Sequence, residues 1–294
     1  MRQNWIPHSA AKKIDRLLFQ NEHLQPVIWG YYYQPNKKCP TVQISQRSEE
    51  LLVELKKNGI VKYPICFKEV AESLDQKFFP LLDSKMVNTP SFQSLDMGER
   101  GQRTGTCLGQ LSFTNPLLEN ILFDSEICGL LYNYYQRQPY YRNRPVIGWN
   151  RPKTNITVNE QVSAKYHIDY YKQISLMLLI NDLDVQTTHM QYALGSVKSS
   201  RKIWDRSLIN EKEIENQYEI LDCVGPKGTL YIFDAGNGYH RGKYFPGTER
   251  KFFHINVTTG HSMGHEGEVG LNEFTHKKDF PLHIKKMLDH LCEK

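Results

Sequence analysis

Long hydrophobic runs are missing from this 294-residue chain. No apolar stretch approaches the roughly 20 residues that a membrane-spanning helix needs, so helical membrane proteins are excluded. Paired cysteines are missing too: Cys39, Cys66, Cys107, Cys128, Cys223 and Cys292 lie far apart with no CxxC spacing. That argues against a zinc knuckle or a disulfide framework, and the six read as reduced thiols. The opening "MRQNWIPHSAAKKIDRLLFQ" lacks the apolar core of a secretory signal, so a cytoplasmic protein is expected. There is no internal repeat, no low-complexity tract and no G-x-G-x-x-G; "GNGYHRG" has the wrong spacing for a dinucleotide loop. An excess of one charge sign is nearly absent, with 37 basic against 32 acidic residues and a net charge of +5. Such a balance marks an ordinary solvated surface rather than a nucleic-acid partner.

What is present is the composition of a soluble globular protein, 39% hydrophobic and 23% charged. Residues 1–47 read as an N-terminal extension, with a short amphipathic helix near Ala10–Phe19 and the aromatic, turn-rich "WGYYYQPNKKCP". Regular patterning begins at Ser48, and residues 48–294 are expected to form a single domain. "SEELLVELKKNG" has helical spacing, with Ser48 as its expected N-cap and Gly59 as its stop. "IVKYPI" is a short strand. "CFKEVAESLDQKFFPLL" is a helix expected to end near Pro80, and a further helix is expected over Leu117–Tyr135.

After Arg144 the texture changes. "NITVNEQ", "KQISLMLLIND", "HMQYAL", "GTLYIFDA" and "RKFFHINVTT" are β-branched or aromatic runs bounded by turn residues. "PLHIKKMLDHLCEK" reads as a closing helix. Helices first and short strands afterwards predict a mainly β core with flanking helices, a sandwich or jelly roll.

The chemistry gathers in the strand-rich part. In "AKYHIDYYKQISLMLLIND", His167 and Asp169 stand two residues apart, on one face if the segment is a strand. Downstream, "YHRGKYFPGTERKFFHINV" supplies His240 and, ten residues later, Arg250. In a strand opening at Arg250, Phe252, His254 and Asn256 share its face, whereas Lys251, Phe253, Ile255 and Val257 take the other. A guanidinium at the head of a core strand needs an anionic partner, and a bound carboxylate suits its fork. Two histidines and one carboxylate on one side of a metal leave positions open, the set associated with non-haem Fe(II) oxygenases.

In these residues the chain resembles the Fe(II)/2-oxoglutarate dioxygenases, specifically their phytanoyl-CoA dioxygenase-like branch. "YHIDYY", "MQYALGSVKSS" and "YHRGKYFPGTERKFFHINV" carry the resemblance, and "LLVELKKNGIVKYPI" is similar to the family's opening helix and strand. It extends from Ser48 to about Thr259. The family's "PGSH" turn reads "LGSV" here, so the histidine of that turn has no counterpart. The resemblance implies a double-stranded β-helix core (jelly roll, cupin-like). It implies Fe(II) on His167, Asp169 and His240, 2-oxoglutarate as co-substrate with Arg250 gripping its far carboxylate, and O2 as oxidant. The implied outcome is oxidation of a small-molecule substrate, hydroxylation being the usual one, with release of succinate and CO2. An aspartate at position 169 argues against halogenation. Asn155, in "NITVN", is the expected further contact to the co-substrate.

Other features compete. His261 and His265 are four apart but flanked by glycines, which favours a loop over a metal-binding helix. The absence of an H-x-H pair counts against a zinc or manganese cupin. "NYYQRQPYYRNRPVIGWNRPK" interleaves aromatics with Arg137, Arg142, Arg144 and Arg151. This segment, residues 133–153, supports an alternative: a non-catalytic binding protein on the same barrel for an anionic or RNA ligand. Packing of its tyrosines over the core is the simpler reading.

Overall fold

The structure is a computed structural model and describes residues 41–83, 116–136, 139–141, 146–150, 165–169, 173–199 and 209–258. The expected helices at 10–19 and at the C-terminus, the "NITVNEQ" strand with Asn155, and His261 and His265 lie outside the described residues.

The first element among the described residues is helix α1 (Gln46–Asn58), followed by β1 (Ile60–Lys62) and α2 (Lys68–Asp83). Gly59 ends α1 as expected, in the left-handed region at φ 83°, its amide donating to the Leu55 carbonyl. The cap at the other end is Ser45, not Ser48. The Ser45 backbone is extended and its hydroxyl accepts from the Ser48 amide, while Ser48 itself is buried. The expected cap, Ser48, instead lies inside the helix and turns its hydroxyl to Glu126. Nor does α2 stop at Pro80: the proline sits inside its last turn, where a missing amide forfeits a single backbone bond. The expected helix over Leu117–Tyr135 is a 3-10 turn (Pro116–Leu118) and two helices, α3 (Glu119–Leu122) and α4 (Ser125–Tyr135). Asp124 divides them because its carboxylate caps α4, accepting from the Ile127 amide at 2.8 Å.

The strands follow: β2 (Tyr140–Tyr141), β3 (Val146–Asn150), β4 (Ile174–Leu179), β5 (His189–Ala193), β6 (Ile220–Cys223), β7 (Leu230–Asp234), β8 (His240–Lys243) and β9 (Arg250–Thr258), with a short helix α5 (Glu211–Gln217) before β6. They form two antiparallel sheets. The larger runs β1-β7-β4-β9-β2, with β3 also on β9; the smaller runs β6-β5-β8. β4 is central and buried along its whole length, which explains its unbroken apolar run "ISLMLL".

Alternation along β4 and β9 separates two cores. Ile174, Leu176, Leu178, Phe253, Ile255 and Val257 turn outward onto the helices, joining Leu55, Leu74, Phe78 and Leu131. Met177, Leu179 and Phe252 turn inward and meet Met190, Tyr192 and Cys223 of the smaller sheet, with Tyr231 and Phe233 of β7. The faces expected for the Arg250 strand are those observed. Four aromatics of segment 133–153 make internal hydrogen bonds. Tyr134 donates to Asp234, Tyr135 to the Val257 carbonyl, Tyr141 to the Leu122 carbonyl and Trp149 to Glu249.

Glu126 ties the first turn of α4 to the cap of α1, accepting from the Ser45 amide at 3.1 Å, the Ser45 hydroxyl at 2.7 Å and the Ser48 hydroxyl. The Ser45 hydroxyl and then the Ser48 hydroxyl hold its carboxyl below the ordinary 4.5. A carboxylate lowered on folding stabilises the protein above its unfolded pKa, and that contribution is lost as pH falls through the folded value. Glu126→Gln is therefore expected to cost about 1 kcal/mol at pH 7. The gap between wild type and variant in urea melts should close in acid, below pH 4.5. A gap that persists at pH 3 would place the stabilisation elsewhere than in the charge.

Candidate metal centre

Two short pieces of backbone build the site. Residues 165–169 are not a regular strand, as the H-x-D spacing led one to expect. They hold a single antiparallel bridge, His167 to His240, with paired amide–carbonyl bonds of 3.0 and 2.9 Å. The bridge sets the two imidazoles side by side, their centroids 4.3 Å apart. Asp169 is fixed next to them by its amide, which donates to the Ala235 carbonyl at 2.8 Å. The ligand atoms of His167, Asp169 and His240 all lie within 4.8 Å of one another. The structure thus unites three of the residues singled out by the sequence.

Their protonation suits a cation. His167 Nδ1 lies 2.9 Å from the Lys165 carbonyl and His240 Nδ1 lies 3.1 Å from the Gly238 carbonyl. A ring nitrogen facing a carbonyl carries a proton, which leaves Nε2 of each ring as the atom to ligate a metal. Asp169 accepts from the Gln173 amide at 2.5 Å. Burial works to raise its pKa, but the electrostatic influence of the neighbouring His240, His167 and His254 and the Gln173 hydrogen bond outweigh it, and the carboxyl ends below its ordinary value. A carboxylate and two imidazoles form a donor set that fits a divalent first-row metal.

The turn after β7 supports the ligands. The buried Asp234 carboxylate accepts from the Asn237 amide at 2.9 Å, from the Asn237 side chain, and from the Tyr134 hydroxyl at 2.6 Å. With the turn so held, the Ala235 carbonyl meets Asp169, the Gly236 amide meets the Gln173 carbonyl at 3.2 Å, and the Gly238 carbonyl meets His240. On the opposite side of the bridge the Arg241 guanidinium lies 4.2 Å from the centre of the Tyr166 ring. It is tied there by Gln191 at 2.8 Å and Glu215 at 2.7 Å.

Arg250 opens β9 on the inward face, 8% exposed, its Nε donating to Asn150 Oδ1 at 2.9 Å. Burial lowers its pKa, though not far enough to discharge a guanidinium. His254 follows on the same face. Burial, reinforced by the charges of His240 and Arg250 and opposed by Asp169, lowers its pKa to about 4, so it is neutral at pH 7. His189 is elsewhere, hydrogen-bonded at 2.7 Å to Asp222. Gln173, Asn150, Asp234 and Asn237 were not singled out from the sequence. Gln173 had a signal, four residues past Asp169 and able to reach back; the others are placed by partners that sequence spacing does not reveal.

No family model and no curated protein matches the sequence. Solved structures do match. EctD from S. alaskensis with bound Fe superposes with a TM-score of 0.54 at 13% identity, covering 76% of this chain and 83% of that one. The same protein with 2-oxoglutarate and 5-hydroxyectoine gives 0.52 at 13%, covering 77% and 83%. The fold is that of EctD. At this identity the likeness shows the double-stranded β-helix expected from the sequence and no more. The residues that could hold a metal are read from this chain's own geometry. Among the described residues, His167, Asp169 and His240 form the cluster of metal-capable side chains, and no helix is long and apolar enough to cross a membrane.

Proposed function

We propose that this protein is a non-haem Fe(II)- and 2-oxoglutarate-dependent oxygenase of the cytoplasm that hydroxylates a small molecule. The observation carrying this reading is the convergence of two imidazoles and one carboxylate within 4.8 Å, two of them fixed by a single backbone bridge. Three protein ligands leave open positions, which a 2-oxo acid and O2 can occupy. Bound there, Fe(II) supplies the activation of O2 that oxidises a C–H bond while 2-oxoglutarate becomes succinate and CO2.

The chain's own residues do the rest. His167, Asp169 and His240 hold the metal. Gln173 orients the Asp169 carboxylate. Arg250 takes the far carboxylate of the co-substrate, and Asn155 is its further contact. Met177, Phe233 and Phe252 give the inward face an apolar wall, which limits water around the reacting atoms. Residues 48–294 form the oxygenase domain and residues 1–47 its extension.

Anaerobic titration of the Fe(II)-loaded protein with 2-oxoglutarate tests this reading. A weak visible charge-transfer band is expected as the 2-oxo acid chelates the metal, and Arg250→Ala should need at least tenfold more co-substrate to reach it. A wild type that holds iron but develops no band would exclude chelation. One that holds no iron would remove the metal site altogether.

A further inference from the structure

Asn150 and Arg250 are 100 residues apart in sequence and directly opposite each other on β3 and β9. Both are buried, at 7% and 8% exposure. The guanidinium has its centre 4.7 Å from the middle of the Phe252 ring. Among the described residues, the groups that favour its charge are the Tyr244 hydroxyl and the Cys223 thiol, neither of them a carboxylate. A buried cation without a protein anion is costly unless a ligand supplies one.

A guanidinium offers a carboxylate two edges: Nε with one Nη, or the two Nη nitrogens together. Asn150 decides between them. Its Oδ1 accepts from Nε at 2.9 Å, which occupies the side edge and leaves the Nη1/Nη2 edge as the one for a ligand carboxylate. Asn150 is neutral, so it fixes the fork without cancelling its charge. A glutamate or aspartate there would hold the same nitrogen and destroy the attraction.

We propose that Asn150 is a positioning and specificity-determining residue. It locks Arg250 for end-on capture of a second carboxylate, and so makes the site select a dicarboxylic 2-oxo acid over a monocarboxylic one. The inference rests on the reading of Arg250 as the co-substrate anchor. It concerns what sets the geometry and selectivity of that anchor.

The test is calorimetric binding to the Fe(II)-loaded protein without O2, using 2-oxoglutarate and 2-oxobutyrate, which lacks the far carboxylate. Wild type, Arg250→Ala, Asn150→Ala and Asn150→Asp are compared, with a thermal melt of each. Asn150→Ala is expected to weaken 2-oxoglutarate about tenfold and leave 2-oxobutyrate within about twofold. Asn150→Asp is nearly isosteric and keeps the Nε bond, so it carries the test even if the alanine variant folds poorly. It is expected to weaken 2-oxoglutarate more than about 100-fold, again sparing 2-oxobutyrate. Arg250→Ala should bind the two acids alike. Asn150 variants that keep the wild-type ratio of affinities, or that lose both acids in parallel, overturn the role of Asn150 while Arg250 stands. A wild type with no preference for 2-oxoglutarate overturns the Arg250 assignment itself.

Discussion

Asp169→Ala is expected to lower Fe(II) affinity by about three powers of ten while leaving the fold in place. The carboxylate is the only formal negative charge among the three proposed ligands. Two unit charges about 4 Å apart attract by on the order of 4 kcal/mol at an effective dielectric near 20, about a thousandfold in binding; a divalent ion in direct contact gains at least as much. What remains in the variant is a pair of neutral imidazoles. The fold should persist because the bond that seats this residue runs from its backbone amide to the Ala235 carbonyl, which alanine keeps. The loss is measured by anaerobic competition against a chromophoric chelator, with circular dichroism and a thermal melt as folding controls. Asp169→Asn should behave like alanine, since an amide keeps the shape and the Gln173 contact but not the charge. Iron binding within about threefold of wild type in both variants would show that the metal does not use Asp169.

The second large effect is on folding. A side chain at Gly238 would overlap the hydroxyl and Cζ of Tyr192 and stand 3.1 Å from the Asp234 carbonyl. Tyr192 cannot withdraw. It is wholly buried between the sheets, and its hydroxyl donates to the Asp234 carbonyl at 2.9 Å. The turn cannot withdraw either, because the Asp234 carboxylate ties it to Asn237 and Tyr134. Gly238→Ala is therefore expected to destabilise the protein by about 3 kcal/mol, the upper end of the range for overpacking a well-filled core. Iron affinity should fall with it, because the Gly238 carbonyl orients His240. Urea denaturation measures the first effect and chelator competition the second. In Tyr192→Leu, which removes the ring from the clash, adding Gly238→Ala should cost at least about 1 kcal/mol less than it does in wild type. Equal costs in the two backgrounds would mean that Tyr192 is not the obstacle.

The sequence alone determined the central strands and singled out the candidate ligands. "ISLMLL" and "RKFFHINVT" are strands because continuous or alternating β-branched and aromatic residues suit a pleated sheet, and alternation also assigned Arg250 and His254 to the inward face. Gly59 ends its helix because a left-handed residue is a local requirement, met by a local choice of amino acid. Such features are legible because their causes lie within a few residues. The tertiary structure decided the rest. Ser45, not Ser48, caps its helix, and both hydroxyls meet Glu126 from another helix. The H-x-D segment became a single bridge because its pairing partner is His240. Asn150 faces Arg250 through the β3–β9 register, and Tyr134 reaches Asp234 from another helix, also across 100 residues. Each of these hydrogen bonds selects a partner far along the chain. A sequence names the donors and acceptors, and only the packed backbone decides which of them meet.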